Sequence, residues 1–277
     1  MRAFNPQQFW DERFRTHGHT GESDPILYAY DQQQRLDAIQ RALAGAGVTV
    51  AAHTKILDVG CGTGDMIARL SDYYQPEITG IDLSPATIAY TRQRFATNPK
   101  VKLLASSLEE LDFPAASFDL VIGINILQHI LEPGSFAQAI SRMTDVLRPG
   151  GHILVMDFSP VQVAQRNPSP YIVIRSRQEY IDTFHQAGCR LVLEYGMPRL
   201  GVRFYRWFMT QVSQWHSRSS KTMLPANVQV AISPAPPSTT GQRVKKAILA
   251  FFKPWDKLFA PMPARYTDMR ILIFQKL

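Results

Sequence analysis

Three glycines and two acids carry the densest chemistry in this chain. The run Lys55-Ile-Leu-Asp-Val-Gly-Cys-Gly-Thr-Gly-Asp65 sets Gly60, Gly62 and Gly64 at alternate positions, with Cys61 between the first two. An apolar strand that turns into a helix through such a loop can press bare main chain against a ligand. The free N–H groups of the following helix point into the same space. The spacing is G-x-G-x-G and not the G-x-G-x-x-G that seats a pyrophosphate. Asp58, just ahead of the first glycine, also disfavours a pyrophosphate and suits the ammonium of an amino-acid-bearing ligand, directly or through water. Asp82 follows Gly60 by 22 residues, at the tip of the next apolar run. A carboxylate there can accept both hydroxyls of a ribose. Its other reading is a helix cap, a role that Ser84 already fills.

These residues need strands to carry them and helices to space the strands. Apolar residues Leu36, Ile39 and Leu43 predict an amphipathic helix over residues 31–46, and a shorter helix is expected over residues 6–16. Strands are expected at residues 55–59, 77–81, 101–105, 118–124, 151–158 and 190–195. Helices are expected at residues 64–73, 85–96, 135–147 and 176–187, the third closed by Arg148, Pro149 and Gly150. Strands alternating with helices predict an α/β fold with a doubly wound parallel sheet. The rhythm breaks after residue 200, and a last strand is expected at residues 268–275.

Asp58-Val-Gly-Cys-Gly-Thr-Gly64, Asp82-Leu-Ser84, Ser117-Phe-Asp-Leu-Val121 and Leu147-Arg-Pro-Gly-Gly151 follow one another in this order. Together they resemble the signatures of class I S-adenosylmethionine (SAM)-dependent methyltransferases, in their small-molecule branch. The likeness covers about residues 27–195 and the final strand. It implies a Rossmann-like sheet of seven strands with the last one antiparallel, and SAM above the strand ends. Gly60, Gly62 and Gly64, with Cys61, would line the methionine part, Asp58 its ammonium, and Asp82 the ribose. Leu83 and Leu108 would pack on the adenine. The acid that usually takes the adenine amino group aligns with Ser107, a departure from the family pattern, with Glu109 as an alternative. Asn125 and Gln128 would face cofactor or acceptor. His129 matches a histidine seen at this turn in many small-molecule members.

Methyl transfer from a sulfonium is an in-line displacement that leaves S-adenosylhomocysteine. The enzyme aligns nucleophile, methyl and sulfur and removes a proton where the nucleophile carries one. His129 is the candidate base; that it only shapes its turn stays open. Trp10 and Arg13 are candidate lid residues, Trp10 against the cofactor and Arg13 toward its carboxylate; an amphipathic helix docked on the core is the other reading. Tyr171 and Arg175 follow the fifth strand, where substrate-facing residues are expected, although a structural role stays open for each.

The chain is read as one SAM-methyltransferase domain: a helical lid at 1–50, a SAM-binding core at 51–200, a substrate-cap insertion at 201–264 and a final strand at 265–277. The insertion carries Phe204 and Trp207 among basic residues. Of the net charge of +7, the segment from Val202 onward holds twelve Lys and Arg against two acids. A cap over an apolar pocket explains the aromatics, and a membrane-surface helix explains the basic–apolar pairing. Nucleic acid is disfavoured because no recognised binding motif appears. Two cysteines give neither a disulfide framework nor a metal cluster, so no metal is expected. No apolar run is long enough to span a membrane. The expected protein is a cytoplasmic O-methyltransferase for a small, partly apolar acceptor, with N- or C-transfer, a lipid-linked or an anionic acceptor left open. The alternatives are a tRNA or protein methyltransferase, and an inactive SAM-binding partner subunit. Oligomeric state is not set by the sequence.

Overall fold

Lys55–Val59 (β1) is buried without a break from Ile56 to Val59 because both of its faces are covered. Ile56 packs with Ile78, Leu120, Ile122 and Leu154 on one side of the sheet. Leu57 and Val59 pack with Ile81, Val121, Ile153 and Val155 on the other. Alternate residues of one strand thus feed two cores, as the period of two requires. The computed structural model describes residues 5–19, 24–197, 246–251 and 269–277, together with 204, 207, 211, 243, 253, 254 and 267.

The remaining elements are helices α1 (Pro6–His17) and α2 (Pro25–Gly45), then α3 (Asp65–Tyr74), β2 (Glu77–Asp82), α4 (Pro85–Arg94), β3 (Val101–Ala105) and β4 (Phe118–Ile124). A single 3₁₀ turn, Leu127–His129, follows β4. The chain continues through α5 (Pro133–Asp145), β5 (Leu147–Phe158), α6 (Arg177–Gln186), β6 (Cys189–Gly196) and β7 (Met269–Lys276). The seven strands lie in the order β3-β2-β1-β4-β5-β7-β6. β7 is antiparallel to both of its neighbours and the other pairings are parallel. This is the seven-stranded, Rossmann-like sheet expected of the class.

The chain steps outward from β1 through β2 to β3, then crosses to β4 on the opposite side of β1. The order therefore reverses between β1 and β4, and the crevice at a reversal lies beyond the carboxyl ends of the strands. Gly60, Asp82, Ser106 and Asn125 all follow or end strands at that edge.

Local chemistry sets the boundaries. The Ser84 hydroxyl accepts from the Thr87 N–H at 3.1 Å, and Pro85 fills the first position of α4. Ser176 and Glu179 form a reciprocal capping box on α6. Two boundaries differ from expectation by more than two residues. α2 starts at Pro25, not residue 31, because the Asp24 carboxylate accepts from the Ile26 and Leu27 N–H groups. β5 starts at Leu147, so Arg148, Pro149 and Gly150 lie in a strand after the helix has already closed at Val146.

Contacts divide the chain into two compact units, one of residues 1–21, 35–197 and 261–277, the other of residues 22–34 and 198–260. The first holds the sheet. In the second, Leu27 and Leu249 are buried with Ile26 and Tyr30 packed against them. Most of the expected insertion at 201–264 lies outside the described residues. Among the described residues no helix is long and apolar enough to cross a membrane.

Candidate active site

All three loop glycines adopt positive φ: 66° at Gly60, 53° at Gly62 and 79° at Gly64. A Cβ at Gly60 would sit 2.0 Å from Ile126 Cδ1, so β1 and the segment after β4 approach each other across bare backbone. The loop is then fastened from outside. The Asp82 carboxylate accepts from the Gly62 N–H at 3.0 Å and, with its other oxygen, from the Ser84 N–H at 2.9 Å. Thr91 Oγ1 donates to the Gly62 carbonyl at 2.8 Å, and Arg94 donates to the Thr63 carbonyl at 2.7 Å. The Cys61 N–H donates to the Ile81 carbonyl at 2.9 Å.

Asp58 is buried, and its Oδ2 has no hydrogen-bond partner. Burial, then the nearby Asp82 carboxylate, pushes its pKa up to about 8. Burial also raises Asp82, against the pull of the Ser84 and Gly62 N–H groups. Burial and both carboxylates push the Cys61 thiol up, which keeps it neutral and unreactive. A buried acid with an orphan oxygen, beside a second, half-buried acid, forms a site that a cation would complete. Asn125 follows β4 in the left-handed region, φ 55°, and its buried Oδ1 also lacks a partner. Leu83 is half-buried and Leu108 is buried beside Val59 and Ile81 in the second core. Ser107 Oγ accepts from the Glu110 N–H at 3.2 Å, so its hydroxyl caps a turn.

Across the crevice lies the 3₁₀ turn with Gln128 and His129. His129 Nδ1 is 2.7 Å from the Tyr171 carbonyl. A carbonyl only accepts, so Nδ1 carries the proton and Nε2 the lone pair. Gln128 Oε1 accepts from the Phe158 N–H at 3.3 Å, which turns its amide nitrogen toward His129 Nε2 at 3.4 Å. Burial lowers the His129 pKa, and the Arg13 charge lowers it further against the Tyr171 carbonyl. The ring is therefore neutral at neutral pH.

α1 reaches both halves. The Trp10 ring stands edge-on to His129 with centroids 4.8 Å apart, and Phe9 packs on Tyr171 at 4.6 Å. Asp11 accepts from the Ser84 hydroxyl and, at 3.4 Å, from the Ala86 N–H at the start of α4. Arg175 is buried and donates to the Leu127 and Ile130 carbonyls at 3.1 and 2.7 Å. Its guanidinium also lies 4.0 Å over the Phe136 ring. Both of its terminal nitrogens thus serve the fold beneath the turn. Phe204 and Trp207 belong to the second unit, where their rings pair at 5.5 Å.

Residue types alone did not single out Asp11, Asp157 or Tyr180. Asp157 is a buried acid near the end of β5 that accepts from the Tyr180 hydroxyl at 3.2 Å, and burial pushes its pKa up to about 8. An acid inside the apolar run Val155-Met-Asp-Phe158 is the signal that marks it. Among the described residues no group of three or more His, Cys, Asp and Glu side chains is placed to hold a metal.

Residues 56–151 match the family described as Methyltransferase domain. The match runs from β1 into β5, and with the sheet order above it likens this part of the chain to a class I methyltransferase domain. Among its relatives is the ubiquinone biosynthesis O-methyltransferase of Alkalilimnicola ehrlichii, 32% identical over 53% of this chain and 54% of that protein. Another is the 2-methyl-6-phytyl-1,4-hydroquinone methyltransferase of Synechocystis sp., 28% identical over 55% of this chain and 46% of that protein. The chain thus spans about half the length of the curated relatives it matches. The fold is shared with Haemonchus contortus phosphoethanolamine N-methyltransferase 2 in complex with phosphomonomethylethanolamine and S-adenosylhomocysteine. That likeness has a TM-score of 0.59 at 16% identity and covers 99% of this chain and 59% of that one.

Proposed function

We propose that the protein transfers a methyl group from SAM to a small, partly apolar acceptor, most readily at a hydroxyl oxygen. The observation that carries this reading is the glycine turn of β1 with the orphan Asp58 oxygen beside Asp82. The residues fit the cofactor on three counts. Backbone is bared at Gly60, where a side chain has no room. Asp58 meets the need of an ammonium, and Asp82 that of a ribose. Leu83 and Leu108 offer apolar cover for the adenine, with Ser107 at the third strand in place of an acid. When bound, SAM supplies an electrophilic methyl on a sulfonium.

The chain's own part is to bind, orient and handle one proton. His129 Nε2 presents a lone pair, and its contact to Gln128 at 3.4 Å is long enough for an acceptor hydroxyl to replace. A neutral imidazole beside a phenol-like hydroxyl takes its proton as the oxygen attacks. Gln128 and Asn125 orient acceptor or cofactor, and Trp10, Phe9 and Tyr171 exclude water around the ring. The relatives named for ubiquinone biosynthesis and hydroquinone methylation favour an aromatic hydroxyl or a ring carbon beside one. Arg13, on α1, is read as the residue that meets the cofactor's carboxylate.

Calorimetry with SAM and S-adenosylhomocysteine, with NADH and ATP as controls, tests the first half. Binding of the sulfur pair alone is expected, and uptake of NADH or ATP instead ends the proposal. Radiolabelled SAM with a panel of catechols, prenylated hydroquinones and aliphatic alcohols tests the second half. Label in the phenols is expected, and label only in an added tRNA or protein substrate would overturn the small-acceptor reading.

A further inference from the structure

The segment at residues 171–175 follows β5 and belongs to no strand or helix, yet its groups alternate in direction. The N–H groups of Ile172 and Ile174 turn back to the Ser169 and Arg166 carbonyls of their own loop, at 3.3 and 2.6 Å. The odd positions face the 3₁₀ turn. The Tyr171 carbonyl accepts from His129 Nδ1 at 2.7 Å. The Val173 N–H donates to the Gln128 carbonyl at 2.8 Å. The Arg175 guanidinium reaches the carbonyls of Leu127 and Ile130, on either side of the Gln128–His129 pair. One extended stretch, presenting alternate groups to one side as a strand does, therefore engages residues 127, 128, 129 and 130 in turn.

Arg175 is suited to the task because its planar fork can reach two carbonyls at once. It is 2% exposed, with Phe136 beneath it, so it has little room to move. Asp157 and Tyr180 lie close enough to act on its charge. On the other side, Gln128 is held by the Phe158 N–H and turns its donor toward His129 Nε2. The groups facing the imidazole are thus the Tyr171 carbonyl, the Gln128 amide, the Trp10 ring and the charge of Arg13. The Tyr171 carbonyl and the Gln128 amide both favour the tautomer with its proton on Nδ1, and the Arg13 charge favours the neutral ring.

We infer that residues 171–175 are a positioning segment, with Arg175 as its anchor, that holds His129 with its proton on Nδ1 and its lone pair on Nε2. The link to turnover rests on the reading of His129 as the base; the link to tautomer does not. Nitrogen-15 NMR of the imidazole reads the tautomer directly. The full-length protein is expected to show His129 as a single Nδ1–H form. An Nε2–H form in the unaltered protein overturns the inference without any variant.

In Arg175→Met the turn loses both clasps, and a mixture of tautomers is expected, with His129 titrating closer to the ordinary histidine range. Arg175→Lys, which reaches one carbonyl, should fall between the two and serves if the Met variant does not fold. A folded variant with the tautomer and titration of His129 unchanged overturns the inference. Methyl transfer to the panel catechol should fall tenfold or more in Arg175→Met, with SAM affinity within about twofold. A shifted tautomer with unchanged turnover would uphold the positioning role and remove His129 as the base.

Discussion

The two sides of the crevice are built on opposite plans. At the end of β1 the backbone is stripped of side chains, and a buried carboxylate oxygen of Asp58 is left without a partner. After β4 three backbone carbonyls of the turn and one ring are held: Gln128 by Val173, Leu127 and Ile130 by Arg175, and the His129 imidazole by Tyr171. The first side stores an unmet electrostatic need that a cationic ligand fills. The second spends its hydrogen bonds on direction, so that one nitrogen faces one way. Affinity and chemistry are thereby assigned to different strands.

The sharpest way to break this division is His129→Ala. Turnover should fall by about 10²–10⁴-fold, the range for a positioned acid–base group, while SAM affinity changes little. Comparable losses in both, or none in turnover, would erase the contrast. Asp82→Ala should do the reverse. It removes the bond to the Gly62 N–H and is expected to weaken SAM binding by about 1–3 kcal/mol, as for lost charged hydrogen bonds. Unchanged affinity in calorimetry would contradict the ribose assignment. Gly60→Ala forces a side chain into the left-handed region against Ile126. It should cost about 1–2 kcal/mol in conformation alone, seen as a lower denaturation midpoint.

A further test concerns pH. The folded pKa of Asp58 is raised from 3.8 to about 8, chiefly by burial. The unfolded chain therefore loses its proton first, and the ligand-free fold loses stability as pH climbs through that window. Asp58→Asn should melt progressively higher than the unaltered chain between those limits, and a constant difference would refute the buried-acid argument. An ammonium that pairs with Asp58 lowers its pKa again, so SAM binding at neutral pH should release a proton, measurable as a buffer-dependent heat.

The β1 side was readable from residue types because its signal is local: three glycines, an acid ahead of them and another at the next strand tip. The strand alternation and the antiparallel last strand followed from the same order of motifs. The β4 side was legible only in part. Gln128 and His129 stand out by type, but the partners at residues 171–175 lie far along the chain and act mainly through backbone. Arg175 was read as either substrate-facing or structural, and its guanidinium lies under the turn, because a buried guanidinium needs carbonyls and two are there. Trp10 was placed against the cofactor, and its ring meets His129. No pattern in Pro6–His17 announces which group α1 will touch.

The position of β7 has a consequence for how the molecule is made. Met269–Lys276 lies between β5 and β6, yet it leaves the ribosome long after both. Until then the nascent sheet has a gap, and two strand edges stay open to wrong partners. Stalled chains ending before Met269 should be cut readily by protease, and resistance should arrive only with the closing strand.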